Sequence, residues 1–326
     1  MTGQRLLITG AGGFTGRHAV QWFAARGAEV IAVVRPQAAA GASALFPEGV
    51  RVYNCDLCDR RAVAEMINET VPEAVLHLAG KNSVPDSWLN PILYIEINVM
   101  ATLYLLEAMR ALPSSRILVA GSRLKFKPGV AAGPPHPYSL SKTLEELVSL
   151  AWGILFKQPV MLAEPCNLIG PGPSTGFCSL LAQHIVRCEA QVHEDIAPFK
   201  LSSRYAQRDF LDVRDAVKAY DYILRKGTNG TIYRIDSGKQ RELGEIAKQL
   251  LSRSSAQVAM DWGQAEAEIE QNSSEMAHTT ASKRMDTQAS ATPEADVNSL
   301  GWRPEIEIGQ SLADILDYYR VIGGGR

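Results

Sequence analysis

The chain has 326 residues, 46% of them hydrophobic, with 33 Lys and Arg against 35 Asp and Glu and a formal net charge of −2. That length accommodates one large α/β domain plus a smaller lobe, and the near-neutral balance gives no footing for nucleic acid or a polybasic membrane surface. No apolar run approaches ~20 residues and the first residues lead straight into a strand, so neither a membrane span nor a signal peptide is expected. The five cysteines, Cys55, Cys58, Cys166, Cys178 and Cys188, have neither disulfide-framework nor metal-ligand spacing. The expectation is a reducing cytoplasm, incidental thiols and no metal site.

Arg5 to Thr9 is an apolar run of buried-strand type. It feeds into Gly10-Ala11-Gly12-Gly13-Phe14-Thr15-Gly16, after which Arg17 to Arg26 reads as a helix. Strand, glycine turn and helix N-terminus in that order are what a dinucleotide fingerprint needs. Gly10, Gly13 and Gly16 permit a tight turn and close approach to a pyrophosphate, with Phe14 and Thr15 beside them. A ligand-free glycine-rich βα turn is the plain alternative. The second strand, 29–34, ends in Val33-Val34-Arg35-Pro36. An acidic residue here would hold an adenosine ribose diol, whereas a guanidinium suits a 2′-phosphate, so Arg35 favours NADP(H) over NAD(H). Asp56, next to Leu57 and just past a third strand at 50–54, can accept from an adenine amino group or cap the helix that starts near Arg60.

Further strands are expected at 74–78, 116–120 and 159–163, with helices from Pro91 toward Leu112 and from Pro137 through Phe156. This alternation is that of a parallel sheet wrapped by helices, a doubly wound α/β fold. Tyr138 and Lys142 lie four apart on one face of the second of those helices. An ammonium so placed can stabilise a phenolate, as a general acid/base tyrosine requires. Beyond residue 164 the alternation breaks into the loop Ile169 to Gly176, followed by helices near 178–190, 213–226, 242–253 and 309–320. The expected division is a cofactor domain over 1–164 and a mainly substrate-binding lobe over 165–326, with about 205–235 returning to the core of the cofactor domain. Residues 264–296, polar and without periodicity, are expected to be a long mobile loop.

Further ordered motifs are His77-Leu78-Ala79-Gly80, Asn98 and the Ser122 segment, then Asn167-Leu168-Ile169-Gly170-Pro171 and Arg208-Asp209-Phe210-Leu211-Asp212-Val213. Together these resemble the extended short-chain dehydrogenase/reductase family of NAD-dependent epimerases and dehydratases, over roughly 5–245 and 297–320. The resemblance implies a Rossmann-like doubly wound parallel sheet with a smaller C-terminal substrate-binding lobe. By it, Ser122 hydrogen-bonds the reacting carbonyl, Tyr138 is the acid/base, Lys142 supports it and holds the nicotinamide ribose, and Asn98 organises a proton-relay water. Leu78 and Ala79 join the cofactor set. Ser83, Asn167, Arg208 and Arg284 form the substrate set, with Asn167 and Arg208 toward a diphosphate. Plainer alternatives stand beside these: Ser122 ending a strand, Asn98 bonding its own backbone, Arg208 pairing with Asp209 or Asp212.

Within the family the likeness is strongest to nucleotide-sugar 4-ketoreductases, through Ser83-Val84-Pro85-Asp86-Ser87-Trp88, Asn167 to Gly172, Arg208 to Asp215, and Gly301-Trp302-Arg303-Pro304. It implies NADPH-dependent reduction of the 4-keto group of a nucleotide-linked 4-keto-6-deoxy sugar, GDP-4-keto-6-deoxy-mannose first, UDP- or dTDP-sugars next. Sugar dehydratases of this fold place an Asp-Glu pair directly after the catalytic hydroxyl; here Arg123 and Leu124 follow Ser122, so elimination is not expected. A C4 epimerase with bound NAD is the second reading, and a catalytically silent NADP-binding regulatory protein the third. The resemblance also implies a homodimer formed by a four-helix contact of the helices at 91–112 and 137–156. Leu103, Leu106, Leu144, Leu147 and Leu150 would supply its apolar face unless that stripe packs on the sheet. Three departures from the family pattern stand out: Gly80 for Ala, Glu164 for Arg before Pro165, and Lys125-Phe126-Lys127 for Tyr-Gly.

Overall fold

A computed structural model describes residues 2–36, 41–129, 131, 133–190, 196–201, 203–263 and 294–323. In chain order the strands are β1 (Arg5–Thr9), β2 (Glu29–Val34), β3 (Arg51–Asn54), β4 (Ala74–His77), β5 (Arg116–Ala120), β6 (Val160–Pro165), β7 (Asn167–Ile169), β8 (Phe199–Lys200), β9 (Gln207–Asp212), β10 (Ile232–Ile235), β11 (Gln240–Glu242), β12 (Met260–Asp261) and β13 (Glu294–Asp296). The helices are α1 (Phe14–Ala24), α2 (Arg60–Thr70), α3 (Val84–Leu89), α4 (Pro91–Ile95), α5 (Ala101–Met109), α6 (Pro137–Phe156), α7 (Phe177–Ala190), α8 (Val213–Lys226), α9 (Leu243–Leu251) and α10 (Ile308–Gly323). They form two compact units. The first takes Met1–Cys166, Val213–Ile235 and Thr292–Pro304; the second takes Asn167–Asp212, Asp236–Ala291 and Glu305–Arg326. The returning segment thus begins at Val213 rather than near 205, and a further stretch, from Thr292, joins it.

The first unit is built on an eight-stranded sheet in the order β13-β10-β6-β5-β4-β1-β2-β3, parallel at every pairing. Strand order reverses between β1 and β4, and in such sheets a ligand crevice opens outside the carboxyl ends at that point. Leu6, Leu7 and Ile8 of β1 and Val75 and Leu76 of β4 are fully buried, as strands covered on both faces must be. On one face the core joins Leu7, Val75 and Ile117 to Leu105, Leu106, Met109 and Leu150. Helix α2 is capped by Asp59, whose side chain accepts from the N–H groups of Arg61 and Ala62. Helix α6 opens with His136 as cap and Pro137 in its first turn, a residue whose fixed φ suits that place.

Two expectations change here. Strands β10 and β13 were not foreseen, and they extend the sheet beyond β6; β13 uses the last three residues of the 264–296 segment, whose remainder lies outside the described residues. Helices α4 and α5 are joined by a π-helical turn, Glu96–Met100, into one run over Pro91–Met109 that is long and apolar enough to cross a membrane by length and composition. Tyr94, Leu105, Leu106 and Met109 of this run are fully buried within the unit, the disposition of a core helix. Of the five leucines expected at a dimer contact, Leu106 and Leu150 belong to the core instead, while Leu147 is exposed. Trp88, Leu89 and Ile92, and Ile154 and Leu155 of α6, are the strongly exposed apolar residues of these helices.

The second unit has a three-stranded sheet, β11-β9-β7, and a two-stranded one, β12-β8. Leu181 and Ile185 of α7, Ile246 and Leu250 of α9, and Leu312, Ile315 and Leu316 of α10 form its core. Glu189 at the end of α7 accepts two hydrogen bonds from Arg320, at 2.8 and 3.0 Å, and one from the Ser255 N–H at 3.0 Å. The guanidinium holds its carboxyl down at about 2.

Candidate active site

The glycine turn is shaped by close packing. Gly10 has φ +64°, and a Cβ there would lie 2.8 Å from the Ala79 nitrogen; one on Gly16 would lie 2.1 Å from the Gly10 carbonyl oxygen. Neither position admits a side chain. At Gly12, by contrast, the nearest atom to a Cβ is Val34 Cγ1 at 3.8 Å. Helix α1 then starts at Phe14 with no side-chain cap and no acidic residue in its first turn. Its first N–H groups and positive dipole end are therefore offered to an anion. Arg17 adds a cation beside the turn, its Nε donating to the Gly12 carbonyl at 2.9 Å. These features fit a diphosphate. Phe14 and Thr15 are half-buried at the helix start, Leu57 is buried, and Arg35 is exposed at the end of β2.

Asp56 is not the cap of α2, since Asp59 holds that place; its Oδ1 accepts instead from the Cys58 N–H at 3.0 Å. Leu78 and Ala79 are fixed by a residue that the sequence motifs passed over. Thr9 Oγ1 accepts from both their N–H groups, at 3.1 and 3.2 Å, and stands 2.8 Å from His77 Nδ1. With two donors already on its oxygen, Thr9 gives its own proton to His77 Nδ1. The imidazole then carries its proton on Nε2 and donates it to Thr102 Oγ1 at 2.9 Å. Burial, reinforced by the Lys142 charge, pushes His77 down to about 3, so it stays neutral.

On α6 the buried face carries Tyr138, Ser141, Lys142, Glu145 and Ser149, a polar stripe at helical spacing. The Tyr138 ring lies edge-on to Tyr94, with centroids 6.2 Å apart, and stacks with His136 at 6.0 Å. Lys142 Nζ donates to the Ala120 carbonyl at the end of β5 at 2.8 Å and pairs with the fully buried Glu145. Burial raises the Glu145 pKa, against the opposing pull of Lys142 and Thr102. Ser122, two residues beyond Ala120, accepts from the Leu124 N–H at 3.0 Å, which leaves its hydroxyl proton to donate.

Asn98 sits in the π-helical turn, a feature frequent at functional sites. Rather than bonding its own backbone, its Nδ2 donates to the Lys81 carbonyl at 3.0 Å and Ser141 Oγ at 2.9 Å, while Oδ1 accepts from the Lys81 N–H at 2.8 Å. A Cβ on Gly80 would come within 3.2 Å of that Oδ1, a contact that a small shift of the Asn98 side chain would relieve. Ser83 caps α3, accepting from the Asp86 N–H at 3.3 Å, and its carbonyl accepts from the Tyr94 hydroxyl at 2.6 Å.

The first unit thus gathers the glycine turn, Leu78, Ala79, Asn98, Ser122, Tyr138 and Lys142. Asn167 and Arg208 belong to the second unit, on the neighbouring strands β7 and β9. Asn167 Nδ2 donates to the Asp209 carbonyl at 2.9 Å, and Arg208 Nη1 to the Gln207 carbonyl at 2.7 Å. The Asp209 carboxylate is engaged by Ser237 and Gly238. Arg284 lies outside the described residues. The residues missed from sequence are Thr9, Thr102 and Glu145; Glu145 was visible as a charge at i+3 from Lys142 on the face that Tyr138 shares.

Residues 6–236 match the NAD dependent epimerase/dehydratase family. The chain belongs to that family. It is 30% identical over 325 residues, 96% of each chain, to GDP-6-deoxy-D-mannose reductase of Pseudomonas aeruginosa. With the dTDP-glucose 4,6-dehydratase of Xanthomonas campestris the identity is 25% over 335 residues, covering 96% of this chain and 92% of the other. Among solved structures it is similar to RMD from Pseudomonas aeruginosa complexed with NADPH, with TM-score 0.72, 25% identity and coverage of 98% and 99%. The UDP-glucose 4-epimerase of Thermus thermophilus in complex with NAD shares the fold, with TM-score 0.75, 22% identity and coverage of 97% and 99%.

Proposed function

We propose that this protein reduces the 4-keto group of a nucleotide-linked 4-keto-6-deoxy sugar, with GDP-4-keto-6-deoxy-mannose the first substrate to try and UDP- or dTDP-linked sugars the next. The observation that carries the reading is the 30% identity, over 96% of both chains, with a GDP-6-deoxy-D-mannose reductase. The side chains support it: Lys142 reaches the Ala120 carbonyl two residues before Ser122, Tyr138 shares the buried face of α6 with Lys142, and no carboxylate follows Ser122 to serve an elimination. NADP(H) is the proposed cofactor and NAD(H) the alternative, because Arg35, exposed just after β2, offers a guanidinium of the kind that suits a 2′-phosphate, and the similar RMD structure holds NADPH.

When bound, the reduced nicotinamide supplies a hydride to the carbonyl carbon. The turn from Gly10 to Gly16 would hold the pyrophosphate through the N–H groups at the start of α1, and Asp56, Leu57, Leu78 and Ala79 would complete the cofactor-binding set. Tyr138 gives its phenolic proton to the carbonyl oxygen, while Ser122 donates a hydrogen bond that strengthens as negative charge builds there. Lys142 would support the tyrosine and hold the nicotinamide ribose. Asn98, with both amide hydrogens engaged, would keep one Oδ1 lone pair for a relay water that returns the proton to Tyr138. Ser83, Asn167, Arg208 and Arg284 contact the sugar nucleotide, the arginines as charge-assisted donors to phosphate.

The reading includes a homodimer, formed through the exposed apolar residues Trp88, Leu89, Ile92, Ile154 and Leu155, and a cytoplasmic setting. Burial pushes the Cys55 thiol up to about 11 and Cys178 up to about 12, so neither is a reactive thiolate.

The test is NADPH oxidation at 340 nm with enzymatically made GDP-4-keto-6-deoxy-mannose, run beside NADH and beside UDP- and dTDP-4-keto-6-deoxy-glucose. Oxidation that vanishes in Tyr138→Phe supports the ketoreductase. C4 epimer interconversion with retained NAD would replace it with an epimerase. NADPH uptake without turnover of any ketosugar would leave a silent binder.

A further inference from the structure

The loop that follows β5 carries a charged cluster for which the reaction above has no use. Lys125 Nζ lies 2.6 Å from Glu146 Oε2 on α6 and also meets Glu164 Oε1 on β6. Glu164 is almost wholly buried, at 5% side-chain exposure, and Glu146 and Lys125 are at 14% and 22%. Two carboxylates therefore face each other inside the unit with one ammonium between them. Where the family pattern has Arg before Pro165, this chain has Glu164; an Arg there would stand against Glu146 without help from the loop. With Glu at 164 the cation has to come from the loop, and Lys125 supplies it.

Neutral hydrogen bonds also hold the loop. Gly121 donates its N–H to the Ala163 carbonyl at 2.8 Å. Phe126 donates its N–H to Thr143 Oγ1 at 3.1 Å and accepts from that hydroxyl at 3.3 Å. Ser122 lies between these points.

We propose that Lys125 is the positioning residue for Ser122: by bridging Glu146 and Glu164 it ties the loop to α6 and β6 and sets where the Ser122 hydroxyl stands above the end of β5. The role rests on Ser122 acting as proposed above. Without the ammonium, two buried carboxylates repel across the gap that the loop closes, and the loop loses its charged tie to α6 and β6. The charged groups that act on Glu164 are Lys125 from the loop and Glu146 from α6; Arg234, its register neighbour on β10, is exposed. Burial first, with Glu146 adding to it and Lys125 only partly offsetting both, pushes Glu164 up to about 7.

The experiment compares full-length wild type, Lys125→Met and Lys125→Met with Glu164→Arg, the double variant returning the cation to β6. Three quantities are read: kcat and KM for NADPH-dependent ketosugar reduction, NADPH binding by fluorescence, and hydrogen exchange of residues 121–127. In Lys125→Met, kcat should fall by about 10²-fold, the size of an ångström-scale misplacement. NADPH binding should stay within about threefold, since the loop does not hold the cofactor's phosphates. Exchange over 121–127 should quicken by about tenfold or more. The double variant gives Glu146 a cation from β6 but leaves the loop untied, so kcat and exchange should stay as in Lys125→Met. A Lys125→Met protein with wild-type kcat and exchange overturns the proposal, as does a double variant in which both return to wild-type values. If wild type reduces no ketosugar, exchange still decides: exchange quickened in both variants keeps the anchoring role while the ketoreductase reading falls.

Discussion

The first unit holds two lysines against buried carboxylates, and the two sites carry their charge differently. Lys142 meets one fully buried carboxylate, Glu145, and a main-chain carbonyl. Lys125 meets two carboxylates, Glu146 and Glu164. The first site closes as a neutral pair. The second carries an extra negative charge, and its chemistry shows it: burial draws the Lys125 pKa down, but the two carboxylates outweigh it and the net shift is upward, while Glu164 rises to about 7. The lesson is that burial is the larger cause at both Glu145 and Glu164, and at Glu164 a second carboxylate, Glu146, adds to it in the same direction.

The comparison breaks most visibly at Lys142. Lys142→Met should remove most ketosugar reduction, by about 10²–10⁴-fold if the ammonium supports proton transfer, and it strands Glu145. A buried carboxylate without its cation costs about 3–5 kcal/mol, readable by urea unfolding. Adding Glu145→Leu should restore stability and not activity; recovery of both would mean that Lys142 is only structural.

In the second unit, Arg320 pairs with Glu189 nearer the surface, with a longer contact to the exposed Asp317 at 3.4 Å. Arg320→Met should cost about 1–2 kcal/mol at pH 7. Glu189 titrates below its ordinary range, at about 2, so the pair's contribution is present above about 4.5 and fades as pH falls through about 2. Equal losses in Arg320→Met at pH 7 and pH 2 would contradict that assignment.

Glu164 has the opposite sign. Its pKa is raised to about 7, so between about 4.5 and 7 the folded state holds a proton that the unfolded state has released. Stability therefore declines as pH rises through that window. Glu164→Gln should flatten the decline, its melting temperature gaining on wild type from pH 5 to pH 8; parallel curves would refute it. The smallest effect is expected at Gly80. Ala there needs only a small shift of Asn98, so a change within about 0.5–1 kcal/mol is anticipated by thermal unfolding.

Much of this was legible locally. The β1–glycine–α1 unit is contiguous, and Tyr138 with Lys142 is readable from helical spacing alone. The Asp56 capping alternative failed because Asp59, three residues on, has the geometry to reach the N–H groups of Arg61 and Ala62. Strands β10 and β13 have only four and three residues, too few to show a period, and they exist through pairing with β6 and with each other. The Lys125 cluster was out of reach for another reason. It joins a loop, a helix and a strand whose meeting no local pattern encodes, although the unusual Glu164 and Lys125 were both visible as departures. The Thr9–His77–Thr102 chain is non-local in the same way.

The discontinuous first unit has a consequence for the order in which the protein can be completed as it is made. Strand β6 ends at Pro165, but its outer neighbour β10 begins only at Ile232, and β13 closes the row only from Glu294. At roughly 5–20 residues per second, β6 leaves the ribosome seconds ahead of its partner, with an open row of N–H and C=O groups of the kind that templates aberrant pairing. Nascent chains arrested before residue 232 should therefore be captured by holdase chaperones more readily than chains arrested after residue 304, with the edge of β6 as the reason.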